Sequence, residues 1–446
     1  MGPTETQAKR AKMRGRKLSA PARGRVPLPA ELRAFWIASL IGLVLTVVIG
    51  WLKYRAGMSH YNWDPLSDPL FGDMMEYRAS YSLLHTREFF FNFAVNPWPY
   101  PMWGAVAYPP FAAAVMAPLY AFPIPELLFL IVAGLWLIVG VAWAARRLMR
   151  AGIRPATAIG FPLTVALVSF PIARLIHQGN IELVLWIFAA LGVWAFMRGK
   201  DDAAAVLWGL AAAMKLFPIV LLALLLPRRK WRAFAEGIAT FVGATLWALW
   251  WLGPTMGVAW RGSLQNVFGY QGQRVAEWTL RELIANHSAM QLAKMAAMMV
   301  RFPLAHLTLP YYVLGAVVLA WAFFGKLWKM PVANQLLAIS AFMVVFPPIS
   351  YYHTLVHLYA PLAVLCGVAL QAARAGVVVP GLKKTMLLFV PLFVPFTVLT
   401  FPQAVLYCGL VQAVVLVVIF ACAVQYRFEV VATATGGRPA PREGSP

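Results

Sequence analysis

Gly72-Asp73-Met74-Met75-Glu76-Tyr77-Arg78-Ala79-Ser80-Tyr81 lies within residues 64–110, the one long run that is neither a charged tail nor an apolar span. Asp73, Glu76, Tyr77 and Tyr81 fall at i, i+3, i+4 and i+8, so a carboxylate and a tyrosine share one face of a short helix. The run closes on Ala107-Tyr108-Pro109-Pro110-Phe111. There the first proline keeps Tyr108 extended and the second suits the first turn of a helix. Apolar blocks flank the run on both sides. The chain therefore reads as membrane helices carrying a polar, aromatic insert after the first of them.

Composition agrees. Hydrophobic residues make up 61% and charged residues 12% of 446 residues, and mean hydropathy is +0.70. A water-soluble domain carries roughly 25% charge, so the chain is integral to a membrane. Apolar runs recur from Phe35 to Val424, and at about 20 residues per span they allow roughly ten to thirteen helices. The expected fold is all-α, a polytopic transmembrane bundle. Its parts are a basic, disordered tail at 1–33, one membrane domain at 34–424 with outer loops at 53–107 and 253–289, and a short tail at 425–446.

The formal net charge of +22 would suggest nucleic acid in a soluble protein. Here Lys and Arg collect at the ends of apolar runs and in the N-terminal tail, from Lys9 to Arg33, so they read as topology markers, and no nucleic-acid partner is expected. The tail is expected in the cytosol, beside anionic lipid headgroups, and the first apolar run is long enough to be a retained helix rather than a cleaved signal. Cys366, Cys408 and Cys422 sit in apolar runs at spacings that match no metal or redox motif.

Taken in order, the markers put His177-Gln178-Gly179-Asn180 outside and Arg198 to Asp202 inside. Residues 203–226 carry Lys215 and Pro218 in mid-run and end at Arg228-Arg229-Lys230, which suggests two half-helices that enter and leave on the same side. Ser350-Tyr351-Tyr352-His353 falls outside, and the C-terminal tail inside. Parity fails between residues 108 and 150: either the run at 111–122 or that at 127–145 is re-entrant, or the Arg146 cluster lies outside. Re-entrant backbone is tolerated at membrane depth where it lines a polar cavity.

An ionisable residue inside a span is costly and suggests a site. Lys215 could hold a phosphate as a point charge, or could pair with an acid such as Glu182. Asp73 could be a general base with Tyr77 orienting it, or a helix N-terminal acid complementing the dipole; Asp64, Asp68 and Glu76 compete on the same terms. Trp63, Trp98, Tyr100 and Trp103 read more readily as an interfacial belt than as a sugar platform. Gln178 and Asn180 either bind substrate or cap helix ends. His353 and His357, at i and i+4, share a helical face, but without a third ligand a metal site is weak.

The ordered set resembles the GT-C glycosyltransferases that use polyprenyl-phosphate sugars, in particular family 87 with its mycobacterial α-1,2-mannosyltransferases of phosphatidylinositol mannosides. Asp73-x-x-x-Tyr77 is similar to the first-loop aspartate motif, Tyr108-Pro109-Pro110 to the Tyr-Pro-Pro of the next helix, and His177-Gln178-Gly179-Asn180 to Gly-Gln-x-Asn. Lys215-Leu216-Phe217-Pro218 resembles Lys-x-x-Pro, Asn286-His287-Ser288 resembles Asn-Gln-Ser, and Ser350-Tyr351-Tyr352-His353 resembles Ser-Trp-x-His. His177 and Tyr351 depart from the pattern. The resemblance implies that Asp73 is the catalytic base. It also implies that Tyr77, Tyr108, Gln178, Asn180, Lys215, Asn286 and His353 bind substrate, with no metal or other cofactor. The donor would be a polyprenyl-phosphate hexose, mannose first among them, passed with inversion to a lipid or glycan at the outer face of the cell membrane. A transporter or lipid flippase is the competing class, because it too needs broken helices and a membrane-depth lysine.

Residues 53–107, 177–180, 253–288 and 350–353 should then converge on one outer cavity. Single cysteines placed there are expected to react with an impermeant maleimide added to intact cells. Reaction confined to cells opened on the cytosolic side would exclude this topology.

Overall fold

A computed structural model describes residues 27–55, 70–81, 83–91, 108–276, 286–394 and 408–430. Asp64, Asp68, Trp63, Trp98, Tyr100 and Trp103 lie outside the described residues, as do most of both tails and the side chains of Glu76 and Tyr77. The described helices are α1 Ala30–Arg55, α2 Gly72–Tyr81, α3 Glu88–Phe91, α4 Pro110–Tyr120, α5 Pro125–Arg150, α6 Pro155–Leu167, α7 Phe170–Gln178, α8 Glu182–Met197 and α9 Asp201–Met214. There follow α10 Trp231–Leu252, α11 Met256–Ala276, α12 Ala289–Met299, α13 Thr308–Gly325, α14 Val332–Val345, α15 Tyr359–Ala375, α16 Leu382–Leu387, α17 Val390–Phe393 and α18 Cys408–Gln425. Two longer 3₁₀ segments, Phe217–Leu225 and Tyr352–Leu358, interrupt them. No strand occurs among the described residues, and the fold is the all-α bundle that composition demands.

Five described helices are long and apolar enough to cross a membrane, and a sixth crossing is possible if α6 and α7, bent by 53°, form one broken span. The break has a local cause: Pro171 opens α7, and Ser169 caps it by accepting the Ile172 N–H at 3.1 Å. Proline cannot supply the N–H that would continue the α6 ladder.

Several apolar runs instead fold as short helices. α4 has 11 residues, about 16 Å of rise against a hydrocarbon core of about 30 Å. α5 has 26 residues and is long enough to cross. Length thus separates the two runs whose parity the sequence leaves open, and α4 is the one that falls short. It begins as its prolines dictate, with Pro109 extended at ψ 151° and Pro110 in the first turn.

α9 and the 3₁₀ segment after it form a hairpin. The 14 residues of α9 rise about 21 Å and the 9 residues of Phe217–Leu225 about 18 Å, so the two arms match in depth. Their open ends meet. Arg228 Nη1 lies 3.1 Å from Asp201 Oδ1 and 3.1 Å from the Phe196 carbonyl, and Lys230 Nζ lies 3.3 Å from Asp201 Oδ2. The half-helix pair expected from Lys215 and Pro218 is present, with Lys215 at its tip in extended backbone, φ −155° and ψ 125°. Glycines let α9 pack closely on its neighbours: a Cβ on Gly209 would stand 2.4 Å from the Gly237 carbonyl of α10, and one on Gly192 of α8 2.3 Å from the Trp208 indole. Small residues at helix contacts are how membrane bundles gain dispersion energy.

α14 is the central post. Its residues 333–345 are all buried, as expected for a helix that is apolar all round. Two amides anchor its start: Asn334 donates to the Ala423 and Tyr426 carbonyls at 2.7 Å each, and Gln335 to the Leu327 and Met330 carbonyls at 3.0 and 2.9 Å. Its far end delivers the Pro347-Pro348 turn to the site.

Asp201→Asn should weaken the basic clip, and a hydrogen bond to a charged group contributes about 1.5–3 kcal/mol. The expected result is a lower thermal midpoint in detergent, with the exposed neighbour variant Asp202→Asn unchanged.

Candidate active site

The site is built on the break between α7 and α8. α7 ends at Gly179, whose φ of +63° is left-handed, a conformation glycine adopts without penalty. Its missing side chain matters as well. A Cβ there would lie 2.5 Å from Met74 Cγ and 3.0 Å from Phe71 Cδ1. The start of α2 fits into this space, and the Phe71 N–H donates to the His177 carbonyl at 2.7 Å. Docking of α2 brings Asp73 onto the residue after the glycine.

Asn180 is buried and uses both ends of its amide. Its Oδ1 accepts the Glu182 N–H at 2.8 Å, which caps α8; its Nδ2 donates to Asp73 Oδ2 and reaches the Tyr108 hydroxyl at 3.4 Å. The helix-end role read from the sequence is present, and the same side chain also holds a carboxylate that the sequence reading did not pair with it.

Lys215 does not stand as a cation awaiting substrate. Its ammonium pairs with Glu182 Oε1, while His357 Nε2 lies 2.8 Å from Glu182 Oε2. Of the two readings open for Lys215 in the sequence, the pairing with an acid is present: the carboxylate at the head of α8 is its partner. A buried charge in apolar surroundings requires compensation. Lys215 nevertheless keeps 23% of its side chain exposed, against 1% for Glu182.

His353 and His357 do not share a face. They lie in a 3₁₀ segment, where three residues per turn set i and i+4 about 120° apart. His353 Nδ1 meets Gln178 Oε1 at 2.9 Å, while His357 turns to Glu182. The turn before this segment is held by Asn286, whose Oδ1 accepts the Ser288 and Ser350 N–H groups at 3.0 Å each and whose Nδ2 donates to the Pro348 carbonyl at 3.1 Å. Asn286 thus fixes the backbone that presents His353. No group of three or more metal-ligating side chains occurs among the described residues.

The structure thus joins Asp73, Tyr108, Gln178, Asn180, Lys215 and His353 around one helix break, with Asn286 behind them; the Tyr77 side chain is outside what is described. A crevice of about 350 Å³, its open mouth included, adjoins them, lined in part by Tyr81, Phe89, Tyr108, Tyr120 and Ile181. Sequence reasoning missed Arg174, buried on α7 one turn before Gln178, whose charge reaches His353. The signal was there, since an arginine inside the apolar run at 156–176 is itself costly. The arrangement combines a carboxylate beside an aromatic crevice with a lysine and two imidazoles that meet Glu182 and Gln178 on either side of the break. That is the equipment for moving a proton from one group while neutralising negative charge on another.

Gly179→Ala should push α2 off the break and strain the left-handed cap by roughly 1–2 kcal/mol. Turnover per unit of purified protein is expected to fall more than expression does; unchanged turnover would mean that the α2 contact does not set the position of Asp73.

A comparison with protein families matches residues 107–348 to Glycosyltransferase family 87. No curated protein matches the chain. The matched segment includes Tyr108, Gln178, Asn180, Lys215 and Asn286 and stops short of Asp73 and His353, which the fold brings to the same break. A match over more than half of the chain fixes the assignment: this protein belongs to glycosyltransferase family 87 and is a membrane glycosyltransferase.

Proposed function

We propose that the protein transfers a hexose, mannose in the reading that the motifs favour, from a polyprenyl-phosphate sugar to a lipid or glycan acceptor at the outer face of the cell membrane. The observation that carries this reading is the junction at Asn180. There a carboxylate on one side and a cation-imidazole cluster on the other are tied to the same three residues of chain.

Asp73 takes the proton of the acceptor hydroxyl as its oxygen attacks the anomeric carbon. The bond from that carbon to the phosphate oxygen breaks, and polyprenyl phosphate leaves with the electron pair. Lys215, His353 and Gln178 face the negative charge that develops on it; fixed donors in a dry site stabilise such charge strongly. Tyr77 and Tyr108 orient the sugar or the acceptor, and Asn180 holds the base. Asn286 acts through the backbone that carries His353. In-line displacement with one base inverts the anomeric centre, so a β-linked mannosyl phosphate would give an α-mannoside.

Both tails are cytosolic in this reading. The polarity of the hairpin supports that, because its basic clip at Asp201, Arg228 and Lys230 lies one arm's length from the Lys215 tip.

Asp73→Asn keeps the size of the side chain and cannot accept a proton; loss of a general base costs ~10² to 10⁴ in rate. Membranes carrying the variant, supplied with labelled polyprenyl-phosphate mannose and a lipid extract, should show that loss at normal expression. Transfer equal to the wild type would exclude Asp73 as the base, and several donors tried in parallel would show which sugar moves.

A further inference from the structure

Glu182 is the most enclosed ionisable group of the site, and the transfer chemistry gives it no step. Its side chain is 1% exposed, yet both carboxylate oxygens are engaged by separate parts of the chain. One meets the ammonium of Lys215 at the hairpin tip, the other the imidazole of His357 on the 3₁₀ segment after α14. Its backbone N–H is held by Asn180, the residue that also holds Asp73.

Exposure is unequal across the trio. His357 is 5% exposed and Glu182 1%, while Lys215 keeps 23%. Of the trio, Lys215 is therefore the side chain that a ligand can reach, and Glu182 is shielded. An ammonium carries three N–H donors, and Glu182 Oε1 takes one. A lysine has four rotatable bonds, and without a fixed partner it surrenders that freedom on each binding event.

We infer that Glu182, locked by His357, is a positioning residue: it holds the Lys215 ammonium at the open side of the site and leaves its other donors to a substrate phosphate. This rests on the glycosyl-transfer reading. Glu182 touches neither sugar nor phosphate and works only through Lys215.

The test uses the full chain in proteoliposomes, with polyprenyl-phosphate mannose varied at saturating acceptor. Glu182→Gln should raise the donor KM tenfold or more, with a smaller change in kcat and no change in acceptor KM. Lys215→Met should do at least as much, and Glu182→Gln should add less than twofold in the Lys215→Met background. An equal loss in both backgrounds would overturn the inference, because Glu182 would then act independently of Lys215. Should Glu182→Gln fail to fold, His357→Gln leaves the ion pair but unlocks one side of it. The donor KM is expected to rise severalfold, and an unchanged value would overturn the inference. The two readings fail differently: absence of transfer by the wild type from any polyprenyl-phosphate donor rejects the function and this inference together, whereas normal transfer with donor KM untouched by Glu182→Gln rejects the inference alone.

Discussion

A carboxylate enclosed in an apolar bundle must be met by charge or hydrogen-bond donors, because ionised groups are poorly tolerated in low dielectric. Glu182 imposes that demand at the head of α8, and two distant parts of the chain answer it: Lys215 from the hairpin tip and His357 from the 3₁₀ segment beyond α14. The neighbouring Asn180 accepts the Glu182 backbone N–H. Further residues arrive with these: Asn180 brings Asp73, and the His357 segment brings His353 to Gln178. The ion pair is therefore less a source of net stability than a device that permits one arrangement of these elements.

The short helices set the depth of this arrangement. α4, α8 and α9 have 11, 16 and 14 residues, so each falls below the about 20 that a span needs. Where helices stop short, backbone ends and polar side chains would face hydrocarbon unless they faced one another. α8 and α9 run antiparallel from the clip at Asp201, and their far ends, Glu182 and Lys215, close on each other. A helix end within a bundle also exposes unpaired backbone groups, and the side chain of Asn180 uses this by capping α8 while it grips a carboxylate.

Close contact at three glycines makes the geometry possible. Gly192 and Gly209 bring α8 and α10 against α9, and Gly179 lets α2 seat on the break. α2 follows the first helix of the chain, and its seat rests on this one left-handed residue and on the Phe71 to His177 bond. The start of α2 is thereby fixed beside Asn180.

The sequence by itself determined the class of fold, since 61% hydrophobic residues in runs of span length admit little else. It also determined the α2 helix, the proline-led start of α4 and the break at Lys215, because proline chemistry and helical spacing act over a few residues. The ordered motifs named most of the residues that meet. Tertiary structure alone decided the partners. Lys215 faces Glu182 rather than an empty groove, Asn286 holds backbone rather than facing the site, and the two histidines diverge. The physical reason is range: a pairing across 33 or 175 residues depends on which helices stop short and how they turn. A 3₁₀ rather than α twist at residues 352–358 follows from packing against α7 and α14, which local spacing does not record.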